Sequence, residues 1–530
     1  MVLLIKVDVI IAVHNAESTV KETVRSAMHQ IIPGHLLEKR FSCDGVASNV
    51  DESELCMKDV QFDVLICCYN DASTDNSLDI LHRIENEGSC NTASVAIKST
   101  PEEIATKLIV GTSPDGTLSR GAGYARNQAA KLRATYEQNN SCEQQSSHHF
   151  LCILDSDDIM HPSRIAEQTF ATLSLGYGSD GQHLCQTTLM GCQFDRIPHD
   201  STWHYQNWAN SLTDDRLYME RFRECTLIQP TWFLARQLFD SLGGYVEAPE
   251  VYKESRGTKR KADGGLDIPS KSYQLIHPTE LLSSKESTEV SSLRLAEDLR
   301  FFYAHLAAGG SLHLLRTSRP LVSYRHRSGM SQSSSTPRKL LLKLRAKAWE
   351  DAVFYGKSNN TDTNNTSTIW QKGFAIWGAG RDGKDFLKAL SSDVASCVVC
   401  FVDVDKKKIN HIKYYDNPDL KKRLPILHFS VLRKDTNKTD AMVDSEVFGR
   451  IDKRKENALS HLKNNADVEL EEKAQEKDTI QYQGNLPLSE AEMTLLPVVV
   501  CVAMYRSNGA LERNVASIGR IEGDNLWHIC

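Results

Sequence analysis

The feature that most constrains this chain is a repeated unit near its start, in which an apolar, β-branched run breaks into a polar turn and then into a helical pattern. "VDVIIAVHN" (7–15) leads into "AESTVKETVRSAMHQ" (16–30), where Ser18 or Thr19 is placed to cap a helix and Val20, Val24 and Ala27 fall at helical spacing. "FDVLICCYNDASTDNSLDILHRIE" (62–85) repeats the unit, "KLIVGTS" (107–113) precedes the helical "GAGYARNQAAKLRATY" (121–136), and "HHFLCILDSDDIMHPSRI" (148–165) opens another. Strand-turn-helix units in series with short connections predict an α/β fold with a doubly wound, mostly parallel sheet. Apolar runs without alternation suit strands buried on both faces.

In such a sheet the turns after successive strands collect on one edge, where open α/β sheets bind ligands. Those turns carry His14, Asn15 and Glu17, then Asn70, Asp71, Ser73 and Asp75, then Arg120 and Arg126, then Asp155, Ser156, Asp157 and Asp158. Three carboxylates crowded at one strand end repel one another unless a divalent cation or a basic group lies among them. An Asx turn with a helix N-cap also accounts for Asp and Ser at this place. Acids of metal-ligand type together with guanidinium groups and helix N-termini suit a nucleotide diphosphate. An acid one loop away could accept the imide N–H of uracil.

Composition narrows the classes further. At 530 residues the chain is too long for one core, so two domains with insertions are expected. A net charge of −7 gives no global sign of nucleic-acid binding. The first apolar run, "MVLLIKVDVIIAV", is interrupted by Lys6 and Asp8 and reads as a strand, not as a signal or membrane segment. The 14 cysteines lack framework spacing, and Cys67 and Cys68 lie inside a strand-like run, which favours a reduced, cytoplasmic setting.

"VIIAVHNAE", "NDASTDNS", "RGAGYARNQA", "LDSDD" and "AEDLRFFYAHLAAGG" resemble, in order, the motif series of inverting, nucleotide-sugar-dependent GT-A glycosyltransferases. "DSTWHYQNWANSLTDDRLYMERF" (200–222), "PTWF" (230–233), "LVSYRHR" (321–327) and a tail running from "FAIWGAGRDGKDF" to "DNLWHIC" bring the chain nearer to the group described both as beta-1,3-N-acetylglucosaminyltransferase-like and as queuosine-tRNA galactosyltransferases. The likeness spans nearly the whole chain apart from insertions near 35–60, 246–292 and 430–490. It implies transfer of galactose from UDP-galactose to queuosine in the tRNA anticodon, with Mn²⁺ or Mg²⁺ as the metal. The alternative is a UDP-N-acetylglucosamine-dependent transferase acting on a glycan or protein.

The same resemblance assigns roles residue by residue. Ala12, His14, Asn15 and Glu17 would flank the uracil, Asp71 would accept from the base, Asp155 would face the ribose, and Asp157 would hold the metal. Arg120 and Arg126 fall where diphosphate contacts are expected, with a solvated loop or helix face as their other reading. Asp298 would be the general base and Glu297 a positioning acid, although acids in a first helical turn also complement the macrodipole. Two departures stand out: Ala12 and His14 occupy places where many relatives carry Pro and Tyr. In Tyr324-Arg325-His326-Arg327 the spacing of the usual His is also changed.

Acceptor contacts are assigned more loosely, to Trp232 and Tyr205 first, with Trp203 and Trp208 as further aromatics that could stack on a base or simply pack in a core. "TPRKLLLKLRAKAW" (336–349) is a basic amphipathic helix, suited to phosphates or to docking a domain. "KESRGTKRKADGG" (253–265) reads as a solvated basic loop, with RNA contact or a localisation signal as alternatives.

A GT-A domain is expected over 1–350, a polar linker over 351–371 and a Rossmann-like domain over 372–530. The last carries Gly378, Gly380 and Gly383 after a strand, and Asp403 about 20 residues on. This dinucleotide fingerprint generates a competing reading as an NAD-dependent oxidoreductase. No accompanying catalytic set is evident, so a structural or accessory role is favoured. Cys397 and Cys400 form a lone pair at CxxC spacing, read as packing.

Overall fold

The computed structural model describes residues 3–41, 55–90, 102–140, 148–177, 183–247, 295–326, 336–356, 368–417, 422–434, 487–503 and 509–529. The basic run 253–265, Arg327, and most of the expected insertions at 246–292 and 430–490 lie outside the described residues. The chain divides into two compact units, Met1–Thr366 and Ser367–His528.

Seven strands form the sheet of the first unit: β1 (Leu3–Val13), β2 (Val60–Asn70), β3 (Thr106–Thr112), β4 (His148–Asp155), β5 (Thr188–Cys192), β6 (Phe233–Ala235) and β7 (Ser311–Leu315). Their order is β7-β5-β6-β4-β1-β2-β3. All neighbours are parallel except β6, which runs against both β4 and β5. The expected mostly parallel α/β sheet is therefore what the chain forms. It starts in the middle, winds out to β3, and returns to the other side of β1 as β4. The reversal makes the gap between the ends of β1 and β4 the topological switch point, where a ligand crevice opens.

Along β1 the side chains of Ile5, Val7, Val9 and Ile11 are wholly buried on one face, and Lys6, Asp8 and Ile10 are buried on the other. The two charged residues that interrupt the apolar run are completed by the helices α1 (Val20–Met28), α2 (Ser77–Cys90) and α3 (Ala122–Asn140) only through the last of these. Lys6 Nζ reaches Glu137 at 2.8 Å, and Asp8 pairs with Arg133 and with His149 Nε2. Burial raises the Asp8 pKa, but His149 and Arg133 outweigh it and hold the carboxyl below its usual value. A buried pair of this kind adds little net stability, because the cost of desolvation offsets the attraction.

Beside this sheet, Phe194–Ile197 pairs in parallel with Val322–Arg325, which pairs antiparallel with Ile159–Met160. The helix α4 (Glu297–Ala307) returns the chain to the sheet, and its Phe301 packs on Trp232, Phe239 and Tyr245 with ring centroids 5.6, 5.7 and 5.1 Å away.

The second unit has its own sheet of β8 (Phe374–Trp377), β9 (Val398–Asp403), β10 (Tyr414–Asn417), β11 (Lys422–His428), β12 (Val498–Val500) and β13 (Leu526–His528), ordered β10-β11-β9-β8-β12-β13. Only the β10–β11 pair is antiparallel. The helix α5 (Arg381–Ala389) follows β8. Among the described residues no helix is long and apolar enough to cross a membrane.

Candidate active site

At the switch point Ala12 of β1 stands in register with Asp155 of β4, and the loops after β1 and β2 meet beside them. Side chains lace these two loops together. Asn15 donates its backbone N–H to Ser73 Oγ at 3.0 Å and accepts Thr74 N–H on Oδ1 at 2.8 Å. Glu17 donates its N–H to Asp75 at 3.0 Å, while its carboxylate accepts the N–H and the side-chain amide of Asn76. Asn15 sits at φ 50°, a left-handed conformation that Asn tolerates because its short polar side chain bonds locally. His14 Nδ1 lies 2.7 Å from the Asp71 carbonyl, so that nitrogen is the donor.

Asp71 is buried at the foot of this edge. Its Oδ1 accepts Ser113 Oγ, and its Oδ2 accepts Ser119 Oγ and the backbone N–H groups of Arg120 and Gly121 at 2.7–2.8 Å. In this arrangement the carboxylate shapes the loop that leads into α3.

The DSDD turn is organised by two arginines. Arg126 of α3, its side chain only 5% exposed, donates from Nη2 to Asp155 at 2.6 Å and from Nη1 to Glu297 at 3.1 Å. Burial works against the guanidinium charge; Asp155 foremost, with Glu297, restores it. The residue expected at a diphosphate is thus committed to joining the strand acid and the acid pair of α4, which stand 142 residues apart in the chain. Arg325 donates its N–H to Asp158 at 2.8 Å, its Nε–H to the Asp157 carbonyl at 2.8 Å and its Nη2–H to Glu22 at 2.7 Å. It clamps the turn from outside, a contact that only the "YRHR" stretch hints at. Asp158 is fully buried, and burial, then Asp155 and Asp157, pushes its pKa well up.

Glu297 and Asp298 open α4 behind Ala296, itself at φ 49°. Gly123 of α3 lets the helices close in, since a Cβ there would meet Val246 O at 2.6 Å and Glu297 Cβ at 3.3 Å. Burial first, and Glu297 alongside, raise the Asp298 pKa to about 7. A carboxylate so placed takes up a proton near neutral pH, as a general base must.

Other expectations fare differently. Arg120 places its guanidinium 4.0 Å from the Tyr124 ring centroid and pairs with Glu247 at 3.1 Å. Trp232 is corrected: it is fully buried, donates Nε1–H to the Leu227 carbonyl at 2.8 Å and belongs to the core, so it offers no face to an acceptor. Trp208 donates to buried Glu220, whereas Trp203 is exposed. Tyr205 keeps partial exposure beside Phe194 and Trp208.

Among the described residues no three His, Cys, Asp or Glu side chains gather into a metal site of their own. A hard cation that binds through one or two carboxylates and the oxygens of a phosphate ligand needs no such cluster. Asp157, partly exposed on the turn, fits that donor set.

No protein-family model matches the chain. Among solved structures it is similar to S. aureus TarS 1–349 in complex with UDP-GlcNAc, with 14% identity over 75% of this chain and 84% of that chain and a TM-score of 0.37. It is also similar to the mannosyltransferase PcManGT from Pyrobaculum calidifontis in complex with GDP-Man and Mn²⁺, with 11% identity over 66% of this chain and 63% of that chain and a TM-score of 0.31.

In the second unit the fingerprint glycines have distinct duties. Gly378 adopts φ +108°, a Cβ on Gly383 would lie 1.9 Å from Gly378 O, and a Cβ on Gly380 would meet nothing within 4 Å. Asp403, placed where a ribose acceptor is expected, already accepts the N–H groups of Ala379, Val404 and Asp405 and Lys408 Nζ, at 2.8–3.0 Å. Burial raises its pKa, but Lys408 and these N–H groups prevail and lower it. Its carboxylate ties β9 to the glycine turn, which favours a structural role over dinucleotide binding.

Proposed function

We propose that the first unit is an inverting glycosyltransferase that takes galactose from UDP-galactose and places it on queuosine in tRNA, in a cytoplasmic setting. The observation that carries the transferase reading is the Asp155–Arg126–Glu297 bridge, which sets an acid of neutral pKa, Asp298, beside the acidic turn at the switch point. Donor sugar and acceptor are supported by the motif resemblance. The helix Arg338–Trp349 adds support, because it buries Leu342, Leu344 and Trp349 and exposes Lys339 and Lys343.

In this reading the loops around His14, Asn15 and Asp71 seat the uracil, and Asp155, steadied by Arg126, faces the ribose. Asp298 removes the proton of the acceptor hydroxyl as its oxygen attacks the anomeric carbon on the side opposite the departing UDP. Glu297, held by Arg126, keeps Asp298 in place and raises its basicity. Mn²⁺ or Mg²⁺ at Asp157 would supply charge neutralisation of the diphosphate leaving group.

The test incubates the protein with UDP-galactose or UDP-N-acetylglucosamine, Mn²⁺ and queuosine-containing tRNA, and analyses the nucleosides by mass spectrometry. A hexose on queuosine from UDP-galactose alone, lost in Asp157→Ala and Asp298→Asn, is the expected result. Transfer only from UDP-N-acetylglucosamine to a glycan or protein would replace donor and acceptor while leaving the chemistry. Absence of UDP release from either donor would sink the enzymatic reading.

A further inference from the structure

Arg196 lies on the short strand Phe194–Ile197, in register with Tyr324 of Val322–Arg325. It is 7% exposed, yet among the described residues its guanidinium has no hydrogen-bond acceptor and no ion-pair partner, and its Nε is a buried donor left unmet. Aromatic rings stand round it: its Cζ is 4.2 Å from the Tyr324 centroid and 5.4 Å from those of Phe194 and Tyr205. The faces of these rings stabilise a cation but accept none of its N–H groups in the guanidinium plane. The hydroxyls of Tyr205 and Tyr324 are likewise without partners among the described residues.

The cage adjoins the acidic turn. Asp158 feels the Arg196 charge and has its Oδ2 buried and unmet, but no ion pair joins the two. The buried Nε–H without an acceptor carries a desolvation cost, and the Nη groups make no bond among the described residues, so the fork is free to take a partner that arrives from outside. Its planar fork of N–H groups matches a tetrahedral or planar oxyanion, and two phenolic donors beside it favour the same class.

We propose that this cage is an oxyanion subsite in which Arg196, with the hydroxyls of Tyr205 and Tyr324, receives a phosphate group of a substrate beside the DSDD turn. The phosphate belongs either to the donor nucleotide or to the acceptor; that choice of source rests on the transferase reading, whereas the subsite does not.

The probe is inorganic phosphate, titrated by calorimetry into the full chain in Mg²⁺, with and without saturating UDP. Wild-type protein is expected to bind it, and Arg196→Gln to weaken binding by about tenfold or more. Arg196→Lys, which keeps the charge but loses the fork, falls between, and Tyr324→Phe, which keeps the ring, weakens binding less. Displacement of phosphate by UDP assigns the donor as its source; simultaneous binding assigns the acceptor. An absence of phosphate binding by the wild type overturns the subsite. So does equal binding by Arg196→Gln with an unchanged near-UV circular dichroism spectrum. Phosphate binding that depends on Arg196, in a protein that fails to bind UDP, would keep the subsite and remove the transferase reading alone.

Discussion

As the proposed general base, Asp298 would have two opposed effects that one substitution separates. With its pKa near 7, it is the free base above that pH, so kcat/KM should fall about tenfold for each pH unit below 7, and Asp298→Asn should lose about 10²–10⁴-fold in a donor-release assay. For stability the sign reverses. The folded pKa lies above the ordinary carboxyl value of 3.8, so the folded state binds the proton more tightly. The group's contribution is full below about pH 4 and is lost as pH rises through 7. Asp298→Asn should therefore melt higher than wild type at pH 8, with the gain shrinking as pH falls, a trade of stability for activity common at catalytic acids. A flat pH profile of transfer, with no change in melting at pH 8, would remove Asp298 as the base.

At the level of elements, the approach of α3 to α4 depends on Gly123, since a methyl there would press on Val246 O and Glu297 Cβ. Gly123→Ala should cost about 1–3 kcal/mol in denaturant unfolding and lower transfer further by displacing Glu297. A variant as stable and active as wild type would show that the two helices are not held so closely. This contact also shows what a linear reading can reach. The DSDD turn and the fingerprint at Gly378–Gly383 were legible because their chemistry lies within a few consecutive residues. The strands were legible because β1, β2 and β4 are buried on both faces over the apolar runs 9–13, 64–68 and 150–154. Arg126 was visible as a residue but not as a bridge, because its acids lie 29 positions downstream at Asp155 and 171 downstream at Glu297. Arg325 and Arg196 are obscured because Asp157 and Asp158, or Tyr324, lie more than a hundred positions away, and Trp232 is ambiguous because an aromatic in a core and one in a pocket have the same sequence signature.

Across the whole molecule, the two units carry separate hydrophobic cores, one centred on β1, β2 and β4 and another on β8, β9 and β12. Asp403→Ala removes the acceptor for three backbone N–H groups and Lys408, and should weaken the second unit by at least about 1–3 kcal/mol in thermal unfolding. Transfer by the first unit should keep its rate, and nicotinamide cofactors should leave the melting of wild type unmoved. A cofactor-dependent shift lost in Asp403→Ala would restore the dinucleotide reading. The laced loops after β1 and β2 carry a different consequence, one of timing. Their amides at Asn15, Thr74 and Asn76 are bonded from one loop to the other, so they should resist hydrogen exchange in the free protein. A nucleotide would then meet a finished floor, and its association rate should follow diffusion, not the closing of these loops.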